Sequence, residues 1–425
     1  MTDAADKPRQ APGVQIAQST TVAGAVAYVL HSPAAGTYVQ LDAPNLFLWA
    51  LMDGEHDLGS LAMAYYERFG ALPLDRLSAL LDELRAAALL EGSGPESGTA
   101  QAPATRAERV AGSAFRKEFA WRSADAFYSR IHDRVGRVLF SPAAYVAFAA
   151  LAVTGLACFV YLFVATDYKV LSVDGSVGLA LVVLMLADFV LIFLHESGHA
   201  LTTKLFGRRI RKAGMMFYFG RPAFFVDASD MWMAERRPRI WVSLAGPLVN
   251  LLFGGALCIV AVLLAPSVFS QVLFVAAFVA YLNGLLNLNP LLELDGYYVL
   301  LDWMQTRQLR KRSFAFVRRD LVRKLRAGER FTHDERMFAV YGVLAVGFTA
   351  LTIVLAVLVL LREVRIIVQA VGSGEDVLAV VLVGALTVVA ATWLVVGLFA
   401  RVLVRVRRRK VRGRASQPEG GESLD

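Results

Sequence analysis

The amino-acid sequence predicts a polytopic α-helical membrane protein of about six transmembrane helices, preceded by a small α+β amino-terminal domain. Three observations carry that reading. The 425 residues are 56% hydrophobic, and their mean hydropathy of +0.51 exceeds that of a soluble globule. Six apolar runs, at about 143–165, 177–203, 240–265, 269–303, 338–361 and 377–404, are each long enough to cross a hydrocarbon core. Basic residues gather beside alternate loops, as orientation in a bilayer requires.

Residues 1–20 are polar and mixed, without a basic start and an apolar core, so they read as a flexible tail and not as a signal peptide. Residues 21–92 read as the small domain. Tyr38-Val39-Gln40-Leu41 is strand-like, Asn45 to Met52 and Leu58 to Phe69 follow, and Leu74 to Leu90 carries Leu77, Leu80, Leu81 and Leu84 at helical spacing. Asp75 suits the start of that last helix and Gly92 its end. Residues 93–106 are rich in Ser, Gly, Pro and Ala and read as a linker. Residues 107–142 set Phe115, Phe119, Phe127, Ile131 and Val135 among basic residues. That pattern fits either an interfacial amphipathic helix or a helix packed on the small domain.

Arg116, Lys117, Arg122, Arg130, Arg134 and Arg137 precede the first span. Lys204, Arg208, Arg209, Arg211 and Lys212 follow the second; Arg307 to Lys324 follow the fourth; and Arg405 to Arg414 open a basic, disordered tail over 405–425. The intervening loops are short or poor in positive charge, so six spans with both termini cytoplasmic satisfy the positive-inside rule at every loop. The net charge of +8 is thereby accounted for by orientation and anionic lipid headgroups, and nucleic acid is not an expected partner. Cys158 and Cys258 both fall in apolar runs, which excludes a disulfide framework or a thiolate metal cluster.

The chemistry concentrates in His195-Glu196-Ser197-Gly198-His199, at the end of the second apolar run. Residues four apart share a helix face, so the two histidines can bind one Zn²⁺ while Glu196 stays free as a general base. Two imidazoles and a carboxylate at membrane depth are costly unless they function. A hydrolytic zinc site needs a third protein ligand and an open position. The stretch Asn287-Leu288-Asn289-Pro290-Leu291-Leu292-Glu293-Leu294-Asp295-Gly296 closes the fourth span on the same side of the membrane as the histidine pair, which makes Asp295 the candidate. Pro290 and Gly296 would break the helix there, as is tolerated where backbone lines a cavity.

With these residues the chain resembles the site-2 protease family of intramembrane zinc metalloproteases, through His195 to His199, Gly246-Pro247-x-x-Asn250 and Leu294-Asp295-Gly296, in that order, over about Leu179 to Trp303. The resemblance implies that His195, His199 and Asp295 bind one zinc, that Glu196 activates water, and that Asn250 and Asn287 lie near the substrate carbonyl. Asn250 equally suits a polar contact between helices. The chain departs from many bacterial members in carrying Glu293 where a second proline is common. That residue suits an outer partner of the site or an alternative ligand. Met215 to Phe219, Gly220-Arg221-Pro222 and Phe224-Phe225-Val226 resemble the family's membrane-dipping β-hairpin, whose edge could receive an extended substrate. Asp227 and Asp230 suit caps. Asp188 stands seven residues before His195, roughly 10 Å away by helical rise. It suits a hydrogen bond to another span, or a role in orienting a ligand imidazole.

Residues 21–92 also resemble the winged-helix-like PqqD-type peptide-recognition domains, through Leu41-Asp42, Leu48-Trp49, Leu51-Met52-Asp53-Gly54, Tyr65, Phe69, Leu84 and Leu89-Leu90. A regulatory or structural winged helix is the alternative. Joined to a site-2-like core, such a domain is similar to the bacterial peptide zinc metalloproteases, often associated with peptide maturation or secretion. The expected function is hydrolysis of a membrane-inserted or membrane-associated peptide near the cytoplasmic face of a bacterial inner membrane, in peptide maturation, secretion or regulated proteolysis. The expected partners are a peptide or membrane-protein substrate and an export or secretion complex. The competing class is a non-proteolytic zinc-binding component of a peptide export complex, which would have no use for a base beside the metal. A membrane oxygenase needs many more than six histidines.

Overall fold

A computed structural model describes residues 7–20, 26–70, 74–93, 116–121, 123–218, 221–304, 306 and 309–373. The chain divides into two compact units, the second comprising Leu171–Leu181 and the residues from Gln308 onward.

The amino-terminal part of the first unit begins with an antiparallel sheet in the order β1 (Gln15–Thr20), β2 (Val26–Ser32), β3 (Thr37–Asp42), with Ala17 opposite Val29 and Leu30 opposite Val39. Alternation puts Val39 and Leu41 inside and leaves Gln40 half-buried. Asp42 caps α1 (Ala43–Ala50) by accepting from the Asn45 N–H at 3.0 Å. Asp57 caps α2 (Leu58–Phe69) in the same way, and Gly70 ends it in the left-handed conformation. In α3 (Leu74–Ala86), Leu77, Leu80, Leu81 and Leu84 are buried, as their spacing predicts, against Leu30, Leu41, Leu48, Met52 and Leu61. The stretch expected as a tail differs from expectation. Residues 15–20 form an edge strand, and Gln10 and Ala11 donate to the carbonyls of Met52 and Leu89. Its side chains carried little signal because Ile16 stays 51% exposed; backbone pairing holds it, with Val14 packed on the core and the Gln10 side chain donating to the Trp49 carbonyl.

The segment expected as one juxtamembrane helix is divided. Among its described residues, Arg116–Trp121 is a strand, β4, and Ala124–Leu139 is a helix, α4; residues 107–115 and 122 lie outside the described residues. β4 pairs with β5 (Lys212–Tyr218), which pairs with β6 (Arg221–Asp227), giving a sheet in the order β4-β5-β6. A long-range partner strand overrides the local helical pattern here. Ala124 and Tyr128 of α4 pack on Ala200, Ile210 and Ala213, so the helix rests on the core that carries the histidines.

Five helices among the described residues are long and apolar enough to cross a membrane: α5 (Pro142–Ala165), α6 (Val177–Leu205), α7 (Arg236–Leu263), α8 (Val268–Leu288) and the His333–Leu355 part of α12 (His333–Ser373). They make the chain a membrane protein. The expected sixth span, the 405–425 tail and nearly all of the 93–106 linker lie outside the described residues. The expected fourth span is interrupted: α8 stops at Leu288, and α9 (Asp295–Met304) begins after a break. Asn289 adopts an extended conformation before Pro290, which disfavours helix and has no N–H to continue one.

α7 holds the first unit together. Its buried residues Val242, Gly246, Asn250, Gly254, Cys258 and Ala261 recur at about one turn along a single stripe. Gly254 receives Ala280 and Tyr281 of α8, and Gly255 lies against Gly155 of α5. In the second unit, α10 (Leu309–Phe316), a π-helical turn (Val317–Leu321) and α11 (Val322–Ala327) lead into α12, where Gly342 packs against the Ser313 carbonyl.

Candidate metal centre

Four elements build the site. Helical spacing on α6 sets His195 and His199 one turn apart on one face, with Glu196 beside them. Asp295 opens α9, placed there by the break at Asn289-Pro290. Arg239 of α7 bridges Asp302 of α9 at 2.9 Å, tying the two helices together just beyond the aspartate. His195 Nε2 lies 3.0 Å from Asp295 Oδ2, His199 Nε2 lies 3.5 Å from Asp295 Oδ1, and the two Nε2 atoms are 3.1 Å apart. These three residues form the one group found among the described residues that could hold a metal ion, and Glu293 is not part of it.

The outward faces of the imidazoles are held by α7. His199 Nδ1 donates to the Val242 carbonyl at 2.6 Å, which leaves Nε2 as a lone-pair donor. The Asn250 amide lies 3.2 Å from His195 Nδ1. Gly246, midway between them, makes room: a Cβ there would stand 2.5 Å from His199 Nε2 and 2.6 Å from His195 Nε2. The gap this glycine keeps open lies against the donor atoms themselves. Two donors each about 2.0–2.1 Å from a tetrahedral zinc stand roughly 3.3 Å apart, and the observed separations of 3.0, 3.1 and 3.5 Å bracket that value. The residues present therefore fit one metal ion of the zinc type.

Glu196 is placed by the sheet. Its Oε2 accepts the Val226 N–H of β6 at 2.9 Å. The end of α6 is anchored by α4: Asp125 accepts the Ile210 N–H at 2.8 Å and pairs with Lys204. Burial pushes the Asp125 carboxyl up, but the Lys204 hydrogen bond and the Ile210 N–H outweigh it and hold the group below its ordinary value. The Tyr128 hydroxyl lies 3.0 Å from Ser197 Oγ inside the histidine motif, and burial raises the phenol above its ordinary value.

The structure brings His195, Glu196, His199, Asn250 and Asp295 together. Asn287 and Asp188 both hydrogen-bond to Asn283. Asn287 donates to the Asn283 carbonyl one turn back at 3.0 Å, and Asp188 accepts from the Asn283 amide at 3.3 Å, a contact between α6 and α8. Asp227 caps the turn at Ser229, and Asp230 accepts from Arg209 N–H and the Tyr38 hydroxyl. Sequence reasoning missed the Val242 carbonyl, the Val226 N–H and the Arg239–Asp302 bridge. Backbone donors and acceptors leave no trace in side-chain identity, and the bridge joins residues 63 apart along the chain.

Residues 182–270 match the model of Peptidase family M50. The matched stretch includes the histidine motif, Val242, Gly246 and Asn250, and ends before Asp295. Over 115 residues the chain is 35% identical to the protein named "Putative peptide zinc metalloprotease protein YydH" of Bacillus subtilis (strain 168). The aligned part is 27% of this chain and 44% of that protein, so the chain spans less than half the length of this relative. No solved structure matches the chain.

Proposed function

We propose that this protein is a zinc-dependent intramembrane metalloendopeptidase, cleaving a membrane-inserted or membrane-associated peptide near the cytoplasmic face. The observation that carries the reading is the meeting of His195, His199 and Asp295 beside Glu196, at the end of an apolar helix. The Peptidase family M50 match over α6 and α7 supports it. His195, His199 and Asp295 would hold one zinc per chain. Bound zinc supplies Lewis acidity, polarising a peptide carbonyl and bringing the pKa of a water to roughly 7.

The rest falls to the chain's own groups. The Val226 N–H engages Glu196 Oε2, which leaves Oε1 to take a proton from the attacking water. The water oxygen bonds to the carbonyl carbon, the C–N bond breaks, and Glu196 returns the proton to the leaving amine. Among the described residues β6 pairs on one side only, with β5. A substrate unwound into an extended strand can lie along its other edge, satisfying backbone groups that the membrane would otherwise strand.

The amino-terminal domain is proposed as a PqqD-like peptide-recognition module serving peptide maturation, secretion or regulated proteolysis, with an export or secretion complex as a further partner. Tyr38 of β3 donates to Asp230 at 3.1 Å, in the turn that follows β6, so the module is joined to the sheet that positions Glu196. Both termini are proposed to be cytoplasmic in a bacterial inner membrane.

The test is the zinc content of the purified chain beside His199→Ala, Asp295→Ala and Glu196→Gln. One zinc per chain, lost in the first two variants and retained in the third, is expected. Zinc unaffected by Asp295→Ala would remove that residue from the ligand set. Chains free of zinc would end the peptidase reading.

A further inference from the structure

We propose that Asn250 is a positioning residue whose amide oxygen accepts the Nδ1 proton of His195 and so presents Nε2, unprotonated, to the metal. The inference rests on the zinc reading above, and it gives Asn250 a role different from the substrate contact that family resemblance implies. Asn250 is only 2% exposed, and its amide lies 3.2 Å from His195 Nδ1, on the side of the ring away from Asp295 and His199. An amide can face the ring in two ways. With its nitrogen toward Nδ1, the oxygen Oδ1 is buried without a partner, a costly arrangement. Nδ1 must then be the acceptor, and the ring proton is forced onto Nε2, the atom a metal needs bare. With its oxygen toward Nδ1, Oδ1 gains a donor, and the Nε2 lone pair is set toward Asp295 and His199.

The neighbouring histidine supports the second arrangement. His199 Nδ1 already donates to a carbonyl oxygen, that of Val242, from the same helix. Val242, Gly246 and Asn250 are spaced one turn apart on the buried stripe of α7. The stripe thus offers an acceptor, a gap and an acceptor to the two imidazoles of α6. A ligand histidine commonly donates its second ring N–H to an oxygen, which selects the tautomer and raises ligand basicity. Here one of the two oxygens is backbone, and the other is the side chain of Asn250.

The test compares Asn250→Asp with Asn250→Leu in the full-length chain in detergent micelles. The zinc Kd is measured by competition with a chromophoric chelator, and the absorption of the Co²⁺-loaded protein reports the ligand field. Asp keeps an oxygen acceptor and has no donor when ionised; Leu keeps the volume and has neither. Expected is a zinc Kd weakened about 10–100-fold in Asn250→Leu, with Asn250→Asp within about threefold of wild type and a wild-type Co²⁺ spectrum. Asn250→Leu within about twofold of wild type would overturn the proposal. So would Asn250→Asp weakened as much as Asn250→Leu, since an oxygen acceptor at this position would then not restore what the amide supplies. Should Asn250→Leu not fold, as judged by thermal unfolding without metal, the Asn250→Asp affinity alone decides: within about threefold of wild type supports an accepting oxygen, and a larger loss overturns it. A wild type without zinc overturns the peptidase reading and this inference with it. Zinc-loaded wild type with an unchanged Asn250→Leu overturns this inference alone.

Discussion

α6 and α7 are both long apolar helices, yet they contribute to the site in opposite ways. α6 brings the reactive side chains, and its most apolar stretch is only 11% buried within the protein; for α7 that share is 39%. α7 brings a carbonyl, a missing side chain and one amide, and with these it sets where the imidazoles of α6 point. One helix carries the chemistry, and the other carries the geometry. The first can be recognised by residue identity, while the second works through backbone and empty space. Such a site is expected to be sensitive to an added methyl group on α7 as well as to the loss of an imidazole on α6.

The sharpest way to break the comparison is Gly246→Ala. The new Cβ would fall 2.5 and 2.6 Å from the two Nε2 atoms, so the imidazoles must shift. Zinc affinity is expected to fall roughly 100-fold or more, whereas overpacking lowers folding stability by about 1–3 kcal/mol. Zinc content by elemental analysis beside a thermal melt separates the two effects. A variant that keeps one tightly bound zinc would show that α7 does not set the geometry.

A smaller effect is expected from Asp302→Asn. It weakens the 2.9 Å bridge to Arg239, a pair only 15% and 21% exposed, and loosens the docking of α9 on α7 behind Asp295. A loss of about 1.5–3 kcal/mol in stability is expected from a charged hydrogen bond of this kind. Zinc binding should weaken less than in Asp295→Ala. Equal losses in the two variants would mean that α9 depends wholly on the bridge for its position.

The smallest effect concerns the far end of α6. Asp125, held below its ordinary value, contributes stability that is present above the unfolded carboxylate pKa of about 3.9 and is lost as pH falls through the lower folded value. Asp125→Asn should therefore cost about 1 kcal/mol at neutral pH and flatten the acid limb of the melting curve below about pH 4. An unchanged acid limb would show that Lys204 and Ile210 do not stabilise the charged form.

Much of this was legible in the residues themselves. The membrane helices follow from runs of apolar side chains, since hydrocarbon leaves a spanning chain few other solutions. The His195/His199 pair follows from helical spacing, and the break before Asp295 from Pro290. Illegible were the features that depend on a distant partner. Nothing local distinguishes Arg116–Trp121 from a continuation of the amphipathic pattern, because its strand conformation comes from pairing with β5, about a hundred residues away. The polar edge strand Gln15–Thr20 likewise owes its order to β2.

The sequence by itself determined the class of molecule and set His195, Glu196 and His199 together on one helix, because those rest on side-chain type and on short-range periodicity, and it singled out Asp295 as the candidate third ligand. Only the tertiary structure decided what surrounds these groups: that the Val242 carbonyl takes the His199 proton, that Gly246 leaves space beside the imidazoles, that Val226 engages Glu196, and that Asn287 and Asp188 hydrogen-bond to Asn283 of α8. The physical reason is that hydrogen-bond direction and close packing depend on how helices cross in space, to within tenths of an ångström, and a linear pattern of residue types does not encode that distance.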